Sequence, residues 1–100
     1  MKTLDLKNDK QTRRKMYLRY AYGKDAAFTV MALMRAQKGR CAICGRTSRE
    51  ADTPRLVVDH DHATGKIRGL LCNGCNAGLG FFGEVATRLL AAVEYLKSRE

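Results

Sequence analysis

Apolar residues recur along this chain with two periods, and the change of period marks out its elements. Ala27, Val30, Met31 and Met34 fall at i, i+3, i+4 and i+7, one stripe of a helix that Asp25 is placed to cap and that Gly39 stops after about Gln37. Val85, Leu89, Ala92, Val93 and Leu96 fall at i, i+4, i+7, i+8 and i+11, which predicts a final amphipathic helix after Phe81-Phe82-Gly83. From Asp9 to Gly23, the basic residues Lys10, Arg13, Arg14, Lys15 and Arg19 interleave with Met16, Tyr17, Tyr20 and Ala21, the pattern of a helix with a basic face and a partly aromatic one. Tyr17, Tyr20 and Tyr22 have the chemistry to meet sugars or bases, but tyrosines at helical spacing are read first as packing residues. Met1 to Asn8 is mixed in character and expected to be loose.

The middle of the chain follows the shorter period. Arg55-Leu56-Val57-Val58 is rich in strand formers, Ala63-Thr64-Gly65-Lys66 reads as a turn, and Ile67-Arg68-Gly69-Leu70-Leu71 as the returning strand of a hairpin. Before it, Arg46 to Pro54 is polar and loop-like. After it, Cys72 to Leu79 predicts a short helix that carries Cys75 and Asn76.

At 100 residues the chain is expected to form one small domain, divided into a basic helical arm (1–40), a central core (41–80) and a C-terminal amphipathic helix (81–100). A domain of this size buries a modest core, so a further staple is expected. The net charge of +9 is concentrated at one end: Met1 to Arg40 holds eleven Lys and Arg against three Asp, a surplus of eight. Such one-sided basic charge is the footprint of a nucleic-acid binder, because Lys and Arg displace counterions from phosphates; the plainer alternative is a solvated face. There is no apolar run of about 18 residues, and Met1 leads straight into charged residues, so a soluble, intracellular protein with no membrane partner is expected.

The cysteines supply the staple. Cys41-Ala-Ile-Cys44 and Cys72-Asn-Gly-Cys75 repeat one spacing across 27 intervening residues. Four thiolates at about 2.3 Å from a Zn²⁺ ion would complete a tetrahedron with no open position, a structural site. Two disulfides, or four buried thiols, are the alternatives, and paired Cys-x-x-Cys spacing without a secretory signal argues against both.

Asp59-His60-Asp61-His62 carries the candidate chemistry. Phosphodiester hydrolysis needs a base to deprotonate water and a divalent cation to neutralise charge on the phosphate and leaving oxygen. Imidazole suits the first task, and Asp and Asn oxygens suit Mg²⁺ or Mn²⁺ for the second. In an extended segment Asp59 and Asp61 would face one way and His60 and His62 the other, so residues 59 and 60 cooperate only if the backbone bends between them. A hydrophilic loop with merely hydrogen-bonded histidines is the alternative.

Taken together, Cys41-x2-Cys44 and Leu56-Val57-Val58-Asp59-His60-Asp61-His62-x-Thr64-Gly65-Lys66-x-Arg68-Gly69-Leu70-Leu71-Cys72-x2-Cys75-Asn76-x-Gly78-Leu79-Gly80 resemble the recombination endonuclease VII family, phage-type His-Me finger (HNH, ββα-metal) nucleases. The resemblance implies an α+β, mainly helical fold with a zinc-stapled ββα-metal core between N- and C-terminal helices. It implies a metal-dependent DNA endonuclease, with branched or recombination-intermediate DNA among its substrates, working in the host cytoplasm if phage-encoded. By position, His60 would be the general base, Asp59 and Asn76 would hold catalytic Mg²⁺ or Mn²⁺, His62 would orient the phosphate or stabilise its charge, and Cys41, Cys44, Cys72 and Cys75 would bind zinc. Lys66 and Arg68 on the hairpin, and Lys10, Arg13 and Arg14 in the basic arm, are candidates for DNA phosphates, with plain solvation as the alternative.

Two departures bear on branch-specific cleavage. Leu79 stands three positions after Asn76, where the junction-resolving member has an acidic residue, and the sequence runs to Glu100 without that enzyme's extra C-terminal domain. The C-terminal stripe and the Met31/Met34 stripe are expected either to pair two copies as a homodimer or to pack within one chain. The competing function is a zinc-dependent DNA-binding or regulatory module without nuclease activity, and a nuclease acting on RNA is a further enzyme alternative.

Overall fold

The computed structural model describes residues 10–99, the side chain of Gln11 excepted, so the expectation for Met1 to Asn8 lies outside the described residues. The fold is α+β. Helices α1 (Lys10–Tyr22) and α2 (Ala26–Ala36) precede strands β1 (Val57–His60) and β2 (Ile67–Leu71), and helices α3 (Asn73–Phe81) and α4 (Ala86–Ser98) follow. The helix and strand limits foreseen from periodicity agree with these to within a few residues.

Gly23, at φ +111, breaks the chain between α1 and α2, a conformation that a Cβ would penalise. Asp25 takes the N-cap position of α2, but its side chain makes no capping bond. Its carbonyl instead accepts the Thr29 backbone N–H at 3.0 Å and the Thr29 hydroxyl at 3.1 Å. The sequence anticipated the cap's place and not its chemistry.

β1 and β2 pair antiparallel, with Val57 opposite Leu71, Val58 opposite Leu70 and Asp59 opposite Gly69. The register then slips so that His60 faces Ile67, which leaves Arg68 as the extra residue of a bulge. On the outer side of β2, Gln37 behaves as a short surrogate strand. Its Nε2 donates to the Leu70 carbonyl at 2.9 Å and its Oε1 accepts the Leu70 N–H at 3.0 Å, while Nε2 also reaches the Arg40 carbonyl at 2.7 Å. The Ala42 N–H adds a further bond to the Leu70 carbonyl, 3.0 Å long.

The core forms where α1, α2 and the hairpin meet. Leu18, Ala26, Val30, Leu56, Leu70 and Leu71 are buried together with Cys41 and Cys72, so two prospective metal ligands are also core residues. Part of the helical stripe of α2 fails to join it. Ala26 and Val30 are buried, but Met31 and Met34 are exposed and line an open, mainly apolar groove of about 610 Å³ with Leu18, Ala27 and the stems of Arg14 and Lys15. Tyr17 and Tyr20 are likewise exposed, against their reading as packing residues, whereas Tyr22 packs on the core.

Helix α4 buries no residue. Leu89 and Ala92 are half-covered, and Val93 and Leu96 of the same stripe remain exposed. The molecule is correspondingly long, 64 × 30 × 21 Å. No helix among the described residues is long and apolar enough to cross a membrane.

Candidate active site and metal centre

The two Cys-x-x-Cys turns meet at one point. The sulfurs of Cys41, Cys44, Cys72 and Cys75 all lie within 4.8 Å of one another, with no disulfide between them. Four sulfurs at about 2.3 Å from one ion would be spaced about 3.8 Å apart. The Cys44 and Cys72 sulfurs are 3.8 Å apart. Gly45, at φ +76, turns the first knuckle back on itself. Cys72 is the N-cap of α3, its sulfur accepting the Cys75 N–H at 3.4 Å.

Cys41, Cys44 and Cys75 are pushed in different directions. Burial pushes Cys41 up, but backbone N–H bonds from Cys44, Cys72 and Ile43 outweigh it and bring the thiol down to about 6. Burial and the neighbouring sulfurs push Cys75 up to about 12. Cys44 is lowered chiefly by Arg46, whose Nε donates to its sulfur at 3.2 Å. Adjacent thiolates oppose one another's charge, and a central divalent cation removes that opposition. The set is therefore one able to hold a metal ion such as zinc.

The second cluster sits at the mouth of the hairpin. Asp61 shapes it rather than joining it: its Oδ1 accepts the Ala63 and Thr64 N–H groups at 2.8 and 3.0 Å, closing the turn. Hydrogen bonds from those two N–H groups hold its carboxyl below the usual carboxylate range. The hairpin's register shifts between Asp59 and His60, the pair whose cooperation would need the backbone to bend. His60 and His62 lie on one side, rings stacked at 5.0 Å and 6°, and the Tyr22 ring approaches His60 from α1 at 5.4 Å and 52°.

Arg68 spans this cluster. Its Nε and Nη2 donate to Asp59 at 2.8 and 2.9 Å, and Nη2 also donates to Glu84 at 2.6 Å. Those carboxylates, Asp59 foremost, hold the guanidinium even more firmly protonated than usual. The other Glu84 oxygen lies 3.0 Å from His62 Nε2. An open cleft of about 310 Å³ is lined by Asp61, His62, Ala63, Arg68, Gly83 and Glu84.

The remaining candidates are more scattered. Asn76 is the fourth residue of α3, one position past Cys75, and exposed. Lys66 is exposed beside a second open cleft, of about 440 Å³, shared with Tyr22 to Ala26. Lys10 and Arg13 are exposed on α1. Arg14 is half-buried, and its charge is disfavoured by burial and then by Arg55.

Glu84, Arg46 and the site position of Tyr22 escaped sequence reasoning. Glu84 lies in the turn between α3 and α4, outside the motif, and the one local signal is the preceding Gly83, which marks a turn without saying where it folds.

Similarity to known proteins agrees with this arrangement. The family model described as Recombination endonuclease VII matches residues 13–98. The Gene 59 protein of Mycobacterium phage D29 is 45% identical over 67 residues, covering 66% of this chain and 39% of that protein. The Gene 59 protein of Mycobacterium phage L5 is 48% identical over 61 residues, covering 60% of this chain and 36% of that protein. The matched segments thus span less than half of either relative. With the family model covering both cysteine pairs, the hairpin, α1 from Arg13 onward and the three later helices, this chain belongs to the recombination endonuclease VII family.

Proposed function

We propose that this protein is a metal-dependent DNA endonuclease of the His-Me finger type that hydrolyses phosphodiester bonds. The observation that carries the reading is the convergence of Asp59, His60, His62 and Arg68 at the mouth of a hairpin that leads directly into the four-cysteine centre. β1, β2 and α3 supply the ββα order, and a Zn²⁺ ion on Cys41, Cys44, Cys72 and Cys75 would fix α3 to the hairpin's approach.

In this reading His60 takes the proton from the attacking water. Its ring lies between those of Tyr22 and His62. Arg68 and His62 face the cleft and meet non-bridging phosphate oxygens, Arg68 through Nη1, since its Nε and Nη2 are held by Asp59 and Glu84. The donor set also suits a hard divalent cation. Asp59 is only 13% exposed and already balances a positive charge, that of Arg68, and the exposed Asn76 adds an amide oxygen. Mg²⁺ or Mn²⁺ held by Asp59 and Asn76 would neutralise charge on the phosphate and the leaving oxygen.

The basic face of α1, with Lys10, Arg13 and Arg14, and Lys66 on the hairpin turn are the proposed tracks for the DNA backbone. A second copy of this chain is the proposed cover for the exposed stripe of α4, which would put two active sites on one DNA. The chain's similarity to proteins of two mycobacteriophages supports a setting inside an infected host cell.

The test is cleavage of supercoiled plasmid and of a four-way junction by zinc-loaded protein with Mg²⁺ or Mn²⁺, beside EDTA and His60→Ala. Removing a general base costs on the order of 10²–10⁴-fold in rate. Metal-dependent cutting that His60→Ala reduces by that much, with binding intact, is the expected result, and the ratio of junction to plasmid cutting measures branch preference. Retained DNA binding with no cutting by either metal would establish the zinc-dependent binding module instead.

A further inference from the structure

Glu84 occupies a position that its own backbone resists. It sits at φ 59, in the left-handed region, directly after Gly83 at φ 68. Glycine enters that region freely, whereas glutamate is strained there, and such strain persists only where surrounding contacts enforce it. The contacts are visible. The Glu84 N–H donates to the Leu79 carbonyl at 2.8 Å and the Gly83 N–H to the Gly80 carbonyl at 2.9 Å, tying the turn to the end of α3. The carboxylate, 28% exposed, then divides its oxygens, one on Arg68 and the other on His62.

His62 is the reason this division matters. Its side chain is 73% exposed, so its ring is held from two sides only, by stacking on His60 and by the bond to Glu84. His60 in turn rests on His62 and Tyr22. A carboxylate that fixes the outer ring therefore fixes the inner one. Through its other oxygen the same group anchors Arg68, whose fork is bidentate on Asp59. Glu84 thus touches both halves of the cluster, the paired imidazoles through His62 and the Asp59–Arg68 pair through Arg68. Nη1 of Arg68 is the guanidinium nitrogen for which neither carboxylate competes, and it remains for a phosphate oxygen.

We propose that Glu84 is a positioning residue of the site, clamping His62, and through it His60, while holding Arg68 in register with Asp59. The proposal rests on the nuclease reading for its effect on rate, and its geometric half is tested independently of cutting.

Two variants separate positioning from structure. Glu84→Gln keeps the size and removes the charge; Glu84→Gly removes the carboxylate and relieves the left-handed strain. The expected results for Glu84→Gln are a kcat at least about tenfold lower, no increase in KM, and unchanged or tighter DNA binding by the zinc-loaded protein without Mg²⁺ or Mn²⁺, since one negative charge leaves a face that meets phosphate. Glu84→Gly should lose kcat similarly with a melting temperature equal to or above that of the native protein. In the zinc-loaded protein without Mg²⁺, both variants should move the imidazole NMR signals of His60 as well as those of His62. Unmoved His60 signals would overturn the clamp. So would a kcat within twofold of native for Glu84→Gln, or an activity loss that merely follows a lower melting temperature. A native protein that cuts nothing would defeat the nuclease reading and the effect on rate together, while the His60 signals would still decide the geometry.

Discussion

Cys72 is 1% exposed, while Leu90 and Leu96, far more hydrophobic, stand 64% and 63% exposed on α4. The two regions differ in what holds them. Around the cysteines, short segments with few apolar residues are tied at several points: Cys41 to Arg46 and Ala42 to Leu70 by backbone bonds, Leu70 to Gln37 by a side chain, and the four sulfurs to a common centre. Helix α4 has a longer apolar stripe, and among the described residues no segment packs against it closely enough to bury any of its residues. Burial in this protein follows tethering more than hydropathy. A hydrophobic stripe specifies a helix and a face; it does not specify a partner.

The sharpest way to break that contrast is to cut the tether. Cys72→Ser removes a proposed zinc ligand, an N-cap and a core residue at once, and a structural zinc site contributes folding free energy directly, so cooperative melting and stoichiometric zinc should both be lost. Unchanged melting and zinc content would refute the four-cysteine site. Next comes a pair of truncations read by denaturant unfolding. Leu70→Ala empties a site 1% exposed and should cost about 2–5 kcal/mol, whereas Leu90→Ala on α4 should stay within about 0.5 kcal/mol. Similar costs at the two positions would show that α4 is packed in solution. The smallest effect on stability is expected from Val93→Glu with Leu96→Glu, which should leave the unfolding of dilute protein nearly unchanged yet abolish self-association seen by sedimentation. A native protein that stays monomeric at high concentration would remove the second copy as the cover for this face.

Much of this was legible in the sequence, and the exceptions have physical reasons. The four helices, the hairpin and the meeting of the cysteines follow from period and spacing, which are local properties. The helix limits hold even where the packing does not: Met31 and Met34 keep their helical places but face an open groove, because the neighbouring α1 offers Leu18 and the long stems of Arg14 and Lys15 rather than a full apolar face. The need for a bend at Asp59 and His60 could be stated from strand geometry. That Arg68 provides the bulge, and that its charge is shared between Asp59 and Glu84, depends on pairings across nine and sixteen residues that no local pattern encodes. Leu79 shows the same limit. No local pattern at Leu79 shows that a carboxylate reaches the cluster from Glu84, through a turn whose path only the folded chain defines.

Gln37 has one more effect, on what the hairpin offers to other molecules. A two-stranded sheet ordinarily presents a row of unpaired N–H and C=O groups along its outer strand, the kind of template onto which foreign strands add. Here the Leu70 N–H and carbonyl are already taken, by the amide of Gln37 and the N–H of Ala42. A single glutamine at the end of a helix, together with Ala42, thus closes the sheet to growth at the middle of β2, and a crowded solution of this protein is guarded against fibre-like strand addition there.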